Sequence, residues 1–194
     1  PLILTGMVSH EEGKTFNQIR TRLAGHPSGK NLSGVEHPSG SLGHGLSVAC
    51  GMALAARTKR NSYDVYTLIG DGEMEEGSIW EAVMFAAKYK LGNLTAIIDV
   101  NGFQYGGTTR KLMNLEPVKD KWEAFGWYVT EVDGNDVAQL KEAMSKERLW
   151  NDKPTCIVAN TVKGAGFTKS CNNNDWHHAK VSKEDLELAL QELT

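Results

Sequence analysis

The sequence is poor in cysteine. It has three cysteines in 194 residues, Cys50, Cys156 and Cys171, and none of them lies in a C-x-x-C or Cys/His metal spacing. Three cysteines, an odd number and far apart in the sequence, exclude a disulfide framework and a cysteine-based zinc site. They favour a reducing compartment. We therefore expect a cytoplasmic protein.

The sequence also lacks an excess of one charge and a long apolar run. The sequence has 21 Lys and Arg residues and 24 Asp and Glu residues, a formal net charge of -3. This charge gives no positive electrostatic potential that would attract nucleic acid or an anionic membrane. No apolar run approaches the ~20 residues of a membrane span, and residues 1–7 lack the basic region and cleavage site of a signal peptide. We expect small-molecule ligands and neither secretion nor membrane insertion.

The length and the apolar content predict one domain over residues 1–194. An apolar fraction of 40% suffices for one core and is too small for two comfortable ones. Repeats, low-complexity tracts and linkers are absent from the sequence. The chain opens with Pro1 and an apolar run, so we expect a chain that was either cut from something longer or stripped of a disordered start.

Apolar residues alternate between strand-like and helix-like spacing from about residue 45 onward. This alternation is typical of an α/β fold, a parallel sheet flanked by helices. Ser182 should cap a last helix, with Glu184 and Asp185 near its positive end. The predicted strands are residues 65–69, 94–98, 127–132 and 155–159, and the predicted helices are residues 47–57, 78–90, 119–125, 137–150 and a helix from 182.

Two segments, residues 28–44 and 163–178, are rich in Gly, Ser, Asn and His without periodicity. Long irregular segments in a compact domain are more often functional than idle. His26 lies just before the first of them and His177 and His178 lie in the second, whereas His10 and His37 read as surface residues. A single histidine is usually structural or solvent-facing, yet sugar contacts and proton transfers often use such groups.

Polar residues follow the two best strands. Gly70-Asp71-Gly72 ends one strand and Asn101 follows the next, thirty positions later. Parallel strands bring their carboxyl ends to one edge, where ligands bind, and Mg²⁺ prefers oxygen ligands completed by cofactor phosphates. Gly72 and the helix start behind it should leave amides free for a diphosphate. The alternative is that Asp71 is only a turn residue between two glycines.

Two neighbouring features have both a structural and a functional interpretation. The helix start after residue 72 is rich in glutamates that can complement its dipole, namely Glu73, Glu75, Glu76 and Glu81. Glu76 differs, because Gly77 separates it from the apolar helix, so we expect its side chain to turn inward.

Residues 40–45 have G-x-x-G-x-G spacing with no preceding strand, which argues against a nicotinamide cofactor. They form either a flexible loop or backbone that closely approaches a flat ring.

These pieces, in this order, resemble the N-terminal, diphosphate-binding half of transketolase. The resemblance covers nearly the whole chain. The G-D-G and Asn pair marks thiamine-diphosphate enzymes in general, whereas the glycine loop combined with E-G-x-x-W-E-A is similar to transketolases in particular. The motifs that carry it are Gly25-His26-Pro27, Gly34-Val35-Glu36, residues 39–45, 70–72, 75–82, 91–94, 99–102, 122–127, 132–134 and 161–164.

The resemblance implies transfer of a two-carbon ketol unit from a ketose phosphate to an aldose phosphate, as in the pentose phosphate pathway, through thiamine diphosphate and Mg²⁺ or Ca²⁺. It implies that Gly70 and Gly72 lie at the diphosphate and that Gly40 and Leu42 meet the aminopyrimidine through their backbone. The implied metal ligands are Asp71, Asn101 and the Phe103 carbonyl. The implied catalytic residues are Glu76, in a carboxylate network between two active sites, and His26 and His177, at the donor sugar.

The chain departs from the family in three places. His178 stands where the family usually has Gly. The family's upstream helix, which carries a further active-site histidine, is absent from this sequence. The family's pyrimidine-binding half is absent from it as well. We therefore expect a C-terminal partner subunit or domain in a homodimer or heterotetramer, with apolar surface left exposed around Trp80, Trp127 and Trp176. The alternatives are a deoxyxylulose-phosphate synthase, a 2-oxo acid dehydrogenase subunit or a non-catalytic homologue, and the loop at 34–45 favours transketolase.

Overall fold

The structure, a computed structural model, describes residues 2–30, 32, 34–145 and 152–193. Four strands form a parallel sheet in the order β1-β2-β6-β5, and β3 and β4 form a short antiparallel hairpin. Helices connect the strands of the main sheet. In chain order the elements are α1 (His10–Gly13), α2 (His44–Thr58), β1 (Val65–Gly70), α3 (Gly77–Lys88), β2 (Leu94–Val100), β3 (Phe103–Gln104), β4 (Gly107–Thr108), α4 (Thr109–Leu112), α5 (Val118–Ala124), β5 (Tyr128–Asp133), α6 (Val137–Ser145), β6 (Thr155–Asn160) and α7 (Lys183–Glu192).

The α/β class and all four strands expected from the sequence are confirmed. Helix α2 begins three positions before the predicted start, because Gly43 adopts a left-handed φ of 79° and supplies its N-cap. Ser182 caps α7 through a capping box with Asp185. The predicted helix over 137–150 is described as far as Ser145, and its remainder lies outside the described residues.

The core lies between the sheet and the helices α2, α3 and α5. Leu46, Ile79 and Trp122 are fully buried there, as are the inner residues of β2 and β6. Pairing of β1 with β2 sets Gly70 opposite Asp99. This register brings the residues that follow both strands to one edge of the sheet.

The expectation of an exposed surface around the tryptophans is wrong for Trp127, which is 3% exposed. Its indole packs edge-on against Trp122, with ring centroids 4.7 Å apart, and its Nε1 donates to the Val83 carbonyl at 3.0 Å. Trp80 is half-buried and donates to the Met74 carbonyl, and Trp176 is half-buried against Phe167. Trp80 and Trp127 therefore pack into the domain with their indole N–H groups hydrogen-bonded.

Within the described ranges, no helix has both the length and the apolar character to cross a membrane.

Candidate active site

Asp71 joins the ends of the two strands that the sequence singled out. It is 5% exposed, and its Oδ2 accepts a hydrogen bond from the Gly102 amide at 2.7 Å. Its own amide donates to the Asp99 carbonyl at 3.1 Å. The carboxylate therefore links the turn after β1 to the turn after β2, as the strand-end argument requires.

Burial raises the pKa of the Asp71 carboxyl. Hydrogen bonds from the Gly102 and Gly72 amides and from the Thr109 side chain act in the opposite direction, and the charge of Asp99 raises the pKa further. An ionised carboxylate is costly in such a place unless a positive group balances it. A bound cation would provide that balance.

Asn101 lies at the matching position after β2 and is held by its neighbours. Its Nδ2 donates to Asp99 Oδ2 at 3.2 Å, and its Oδ1 accepts from the Phe103 amide at 3.0 Å. Asp99 in turn accepts a hydrogen bond from the hydroxyl of Thr161, a residue that follows β6. Asp99 and Thr161, for which the sequence indicates no role of their own, therefore fix the orientation of the Asn101 amide.

The expectation that Gly72 leaves its amide free is wrong for this structure. The amide donates to Asp71 Oδ1 at 2.8 Å, because the chain turns at once into a short 3-10 helix over Gly72–Glu75. A side chain on Gly72 would also meet Gln104 Cβ at 2.6 Å. Glycine is thus required where the β3–β4 hairpin closes over the turn.

Glu73 connects the glycine loop to the strand end. Its Oε1 accepts from the Gly43 amide at 2.9 Å, and its Oε2 accepts from the Gly70 amide at 3.2 Å. From the sequence, Glu73 is expected only to complement a helix dipole. The sequence does not show that a loop thirty residues earlier approaches its carboxylate. Gly70 thus takes part in positioning the loop.

His26 packs against Gly40, which has φ of +134°. A Cβ on Gly40 would lie 2.3 Å from the His26 ring carbon Cδ2. The first irregular segment therefore folds so that an exposed imidazole covers the glycine loop. His26 and Gly40, which the sequence placed at separate subsites, are neighbours.

Leu42 and Glu76 lie on the outer side of the same region. Leu42 is 55% exposed, and its carbonyl lies 3.0 Å from His44 Nδ1. The expectation that Glu76 turns inward is wrong for the single chain, where Glu76 is exposed. It is the extended N-cap residue of α3, with ψ of 125°, and its Cβ lies beside Gly43, so its side chain borders the glycine loop instead of entering the core.

His177 lies beside the hairpin that follows Asn101. It ends a 3-10 helix over Asn174–His177, and its ring meets Tyr105 edge-on with centroids 5.9 Å apart. Lys163 Nζ lies 3.3 Å from His177 Nδ1. The second irregular segment is thus folded back to the edge of the sheet that carries Asp71 and Asn101.

Two clefts flank the turn at residues 70–73. The larger, of about 1080 Å³, lies along the glycine loop, α2 and β1, and Gly40, Leu42 and Glu73 are among its lining residues. The smaller, of about 340 Å³, is lined by Asp71 and Gly102 together with residues of α4 and the segment after it. The arrangement offers an open groove beside the loop and a more confined space beside the carboxylate.

Among the described residues, no three or more His, Cys, Asp or Glu side chains are grouped so that they could hold a metal ion. The expected ligand set has one carboxylate, one amide and one backbone carbonyl. Such a set fits a hard cation that keeps other oxygen ligands from a cofactor.

Comparison with known proteins gives the family. The family model described as "Transketolase, thiamine diphosphate binding domain" matches residues 2–194. A subunit of the apulose-4-phosphate transketolase of Phocaeicola vulgatus is 41% identical over 189 residues, which cover 97% of this chain and 67% of that protein. The 6-deoxy-6-sulfo-D-fructose transketolase subunit SqwG of a Clostridium species is 39% identical, over 99% of this chain and 70% of its own length.

Solved structures give the same result. The transketolase of Campylobacter jejuni superposes with a TM-score of 0.88 at 30% identity, over 94% of this chain. This chain spans about 30% of the length of that transketolase. Sequence and structure together show that the chain belongs to the transketolase family and corresponds to its thiamine-diphosphate-binding domain.

Proposed function

We propose that this chain supplies the diphosphate-binding side of a transketolase-type enzyme that transfers a two-carbon ketol unit from a ketose phosphate to an aldose phosphate. The observation that carries the proposal is the buried Asp71 carboxylate, which ties together the ends of β1 and β2 in a chain of this family. The pathway, the cytoplasmic location and the identity of the sugars belong to the same proposal.

Asp71, Asn101 and the Phe103 carbonyl would hold Mg²⁺ or Ca²⁺, which in turn would hold the diphosphate. The fit rests on Asp71, whose burial raises the pKa of its carboxyl and whose charge a cation would balance. A cation at Asp71 would also compete for the oxygen that Gly72 now contacts. The Gly72 amide would then become available to a diphosphate oxygen.

Gly40 and Leu42 would contact the aminopyrimidine through their backbone, since both line the larger cleft. His26, which covers Gly40, would contact the sugar from above the loop. His177 would do so from the hairpin side. Thiamine diphosphate, when bound, supplies the carbon that accepts the ketol unit, and these side chains bind and orient the sugar.

We also propose that activity requires a second chain or domain. Two relatives are themselves named as subunits of apulose-4-phosphate transketolases, and Glu76 and Leu42 are exposed here, where an oligomer would cover them. A homodimer or heterotetramer with a pyrimidine-binding chain would bring to the cofactor the carboxylate that, in the transketolase family, the pyrimidine-binding half supplies to activate the aminopyrimidine. Glu76 would then join the network between two active sites.

The experiment is an assay of ketol transfer from a ketose phosphate to an aldose phosphate, with thiamine diphosphate and Mg²⁺ present. The purified chain is measured alone and then with a candidate pyrimidine-binding subunit. We expect turnover only with both chains. Appreciable turnover by the chain alone would refute the partner requirement, and no turnover with any pyrimidine-binding partner would refute the activity.

A further inference from the structure

His177 and Lys163 form a contact that links the two ends of the second irregular segment. Lys163 Nζ lies 3.3 Å from His177 Nδ1. Lys163 is half-buried and follows β6 closely, whereas His177 is more exposed. A half-buried lysine that points at a ring nitrogen rather than at a carboxylate calls for a chemical explanation.

The chemistry of the two groups fixes the direction of this hydrogen bond. A lysine ammonium has three donors and no acceptor, so the ring nitrogen that faces it must accept. A neutral imidazole with an accepting Nδ1 carries its proton on Nε2. A doubly protonated ring would turn an N–H toward the ammonium, which is unfavourable in both geometry and charge.

The charges around the ring agree with this assignment. The pKa of His177 is lowered, first by burial, then by the charge of Lys163 and then by that of His178. Among the described residues, the titratable Tyr105 also meets the ring, edge-on. Burial and the charges of Lys163 and His178 favour the neutral ring.

The ring is also held in place relative to the candidate metal site. Asn174 Nδ2, in the same 3-10 helix, donates to the Tyr105 carbonyl at 3.2 Å. Tyr105 lies in the turn of the β3–β4 hairpin, two positions after Phe103. The imidazole is therefore oriented by Lys163 on one side and by the hairpin on another.

We propose that Lys163 is a positioning residue that fixes His177 as the neutral tautomer with its proton on Nε2, so that the ring offers an N–H donor to an oxygen of the sugar. The role at the sugar rests on the proposed function, whereas the state of the ring does not. The ring neither gains nor loses a proton when it binds the sugar in this way.

The test is nitrogen NMR of the full chain labelled with ¹⁵N-histidine, without substrate or partner. Long-range ¹⁵N–¹H correlation spectra across a pH series report the tautomer and the pKa of His177. We expect Nε2 to be the protonated nitrogen of the neutral ring, with Nδ1 showing the shift of a hydrogen-bond acceptor. Lys163→Met, which has no donor, should remove that acceptor signature. Both Lys163→Met and Lys163→Gln remove the positive charge and should raise the pKa of His177 toward the ordinary histidine range.

Two control variants separate positioning from a general charge effect. Lys163→Arg keeps a cationic donor and should restore the tautomer and the lowered pKa. His178→Gly removes a neighbouring charge but no ring contact, so the tautomer should stay as in the parent chain. A proton on Nδ1 in the parent chain, or a ring unaffected by both Lys163→Met and Lys163→Gln, would overturn the proposal, whatever the outcome of the ketol-transfer assay.

Discussion

Replacement of Asp71 tests the centre of the candidate site. Asp71→Ala removes the acceptor of two backbone amides, those of Gly72 and Gly102. An amide left without a partner when buried costs about 1–3 kcal/mol, and both glycines are half-buried. We therefore expect Asp71→Ala to lower the free energy of unfolding by about 2 kcal/mol in total.

Asp71→Asn separates this structural cost from metal binding. The amide keeps the shape of the carboxylate and one acceptor, and it removes a buried charge that is costly without a cation. Its stability should therefore lie between those of the parent chain and of Asp71→Ala. Its affinity for thiamine diphosphate in the presence of Mg²⁺ should nevertheless fall at least about 100-fold, or about 3 kcal/mol, because the only carboxylate of the proposed ligand set is lost.

The assay is calorimetric titration with thiamine diphosphate, with Mg²⁺ and with a chelator, beside chemical denaturation of each variant. Asp120→Asn, an exposed carboxylate in the first turn of α5, is the matched control and should bind as the parent chain does. The chain by itself and the chain with its candidate partner are both titrated. A folded Asp71→Asn variant with unchanged Mg²⁺-dependent affinity would show that the metal assignment is wrong.

Three further predictions concern the loop, the strand end and the last helix. His26→Ala should lower turnover of the two-chain assembly while cofactor affinity stays unchanged, and an equal loss in both would show that His26 serves the cofactor instead. Glu73→Gln should speed amide hydrogen exchange at Gly43 and Gly70, because their charged acceptor is lost, and unchanged exchange at both would contradict the bridging role. Ser182→Ala should weaken α7 locally by about 1 kcal/mol, seen as faster exchange in α7 with little change elsewhere.

The sequence predicts the sheet and the location of the site because both follow from patterns in the order of residues, which need no knowledge of tertiary contacts. Buried runs of strand length, separated by helical spacing, led to β1, β2, β5 and β6. The thirty-residue interval between Asp71 and Asn101 then placed both at one edge, since parallel strands share a direction. The Asp71 to Gly102 hydrogen bond bears out that step.

The missed features depend on contacts between distant segments or on very short elements. The β3–β4 hairpin has strands of two residues each, too short for any apolar period. Glu73 reads as an ordinary helix-start carboxylate until the loop at Gly43 approaches it. Gly77, which follows Glu76, does not indicate burial of the Glu76 side chain, because the chain is still extended at Glu76.

The exposure of the candidate residues differs between the two ends of the site, and this difference bears on the proposed second chain. Asp71 is buried and its oxygens are engaged by the domain itself, so the proposed metal and diphosphate end is organised within one chain. His26, Leu42 and Glu76 are exposed. A flat ring held only by an exposed loop would keep one face in water, which would weaken every polar contact to it. A partner surface that covers Leu42 and Glu76 would exclude that water, so the proposed partner is expected to change the environment of the loop more than that of Asp71.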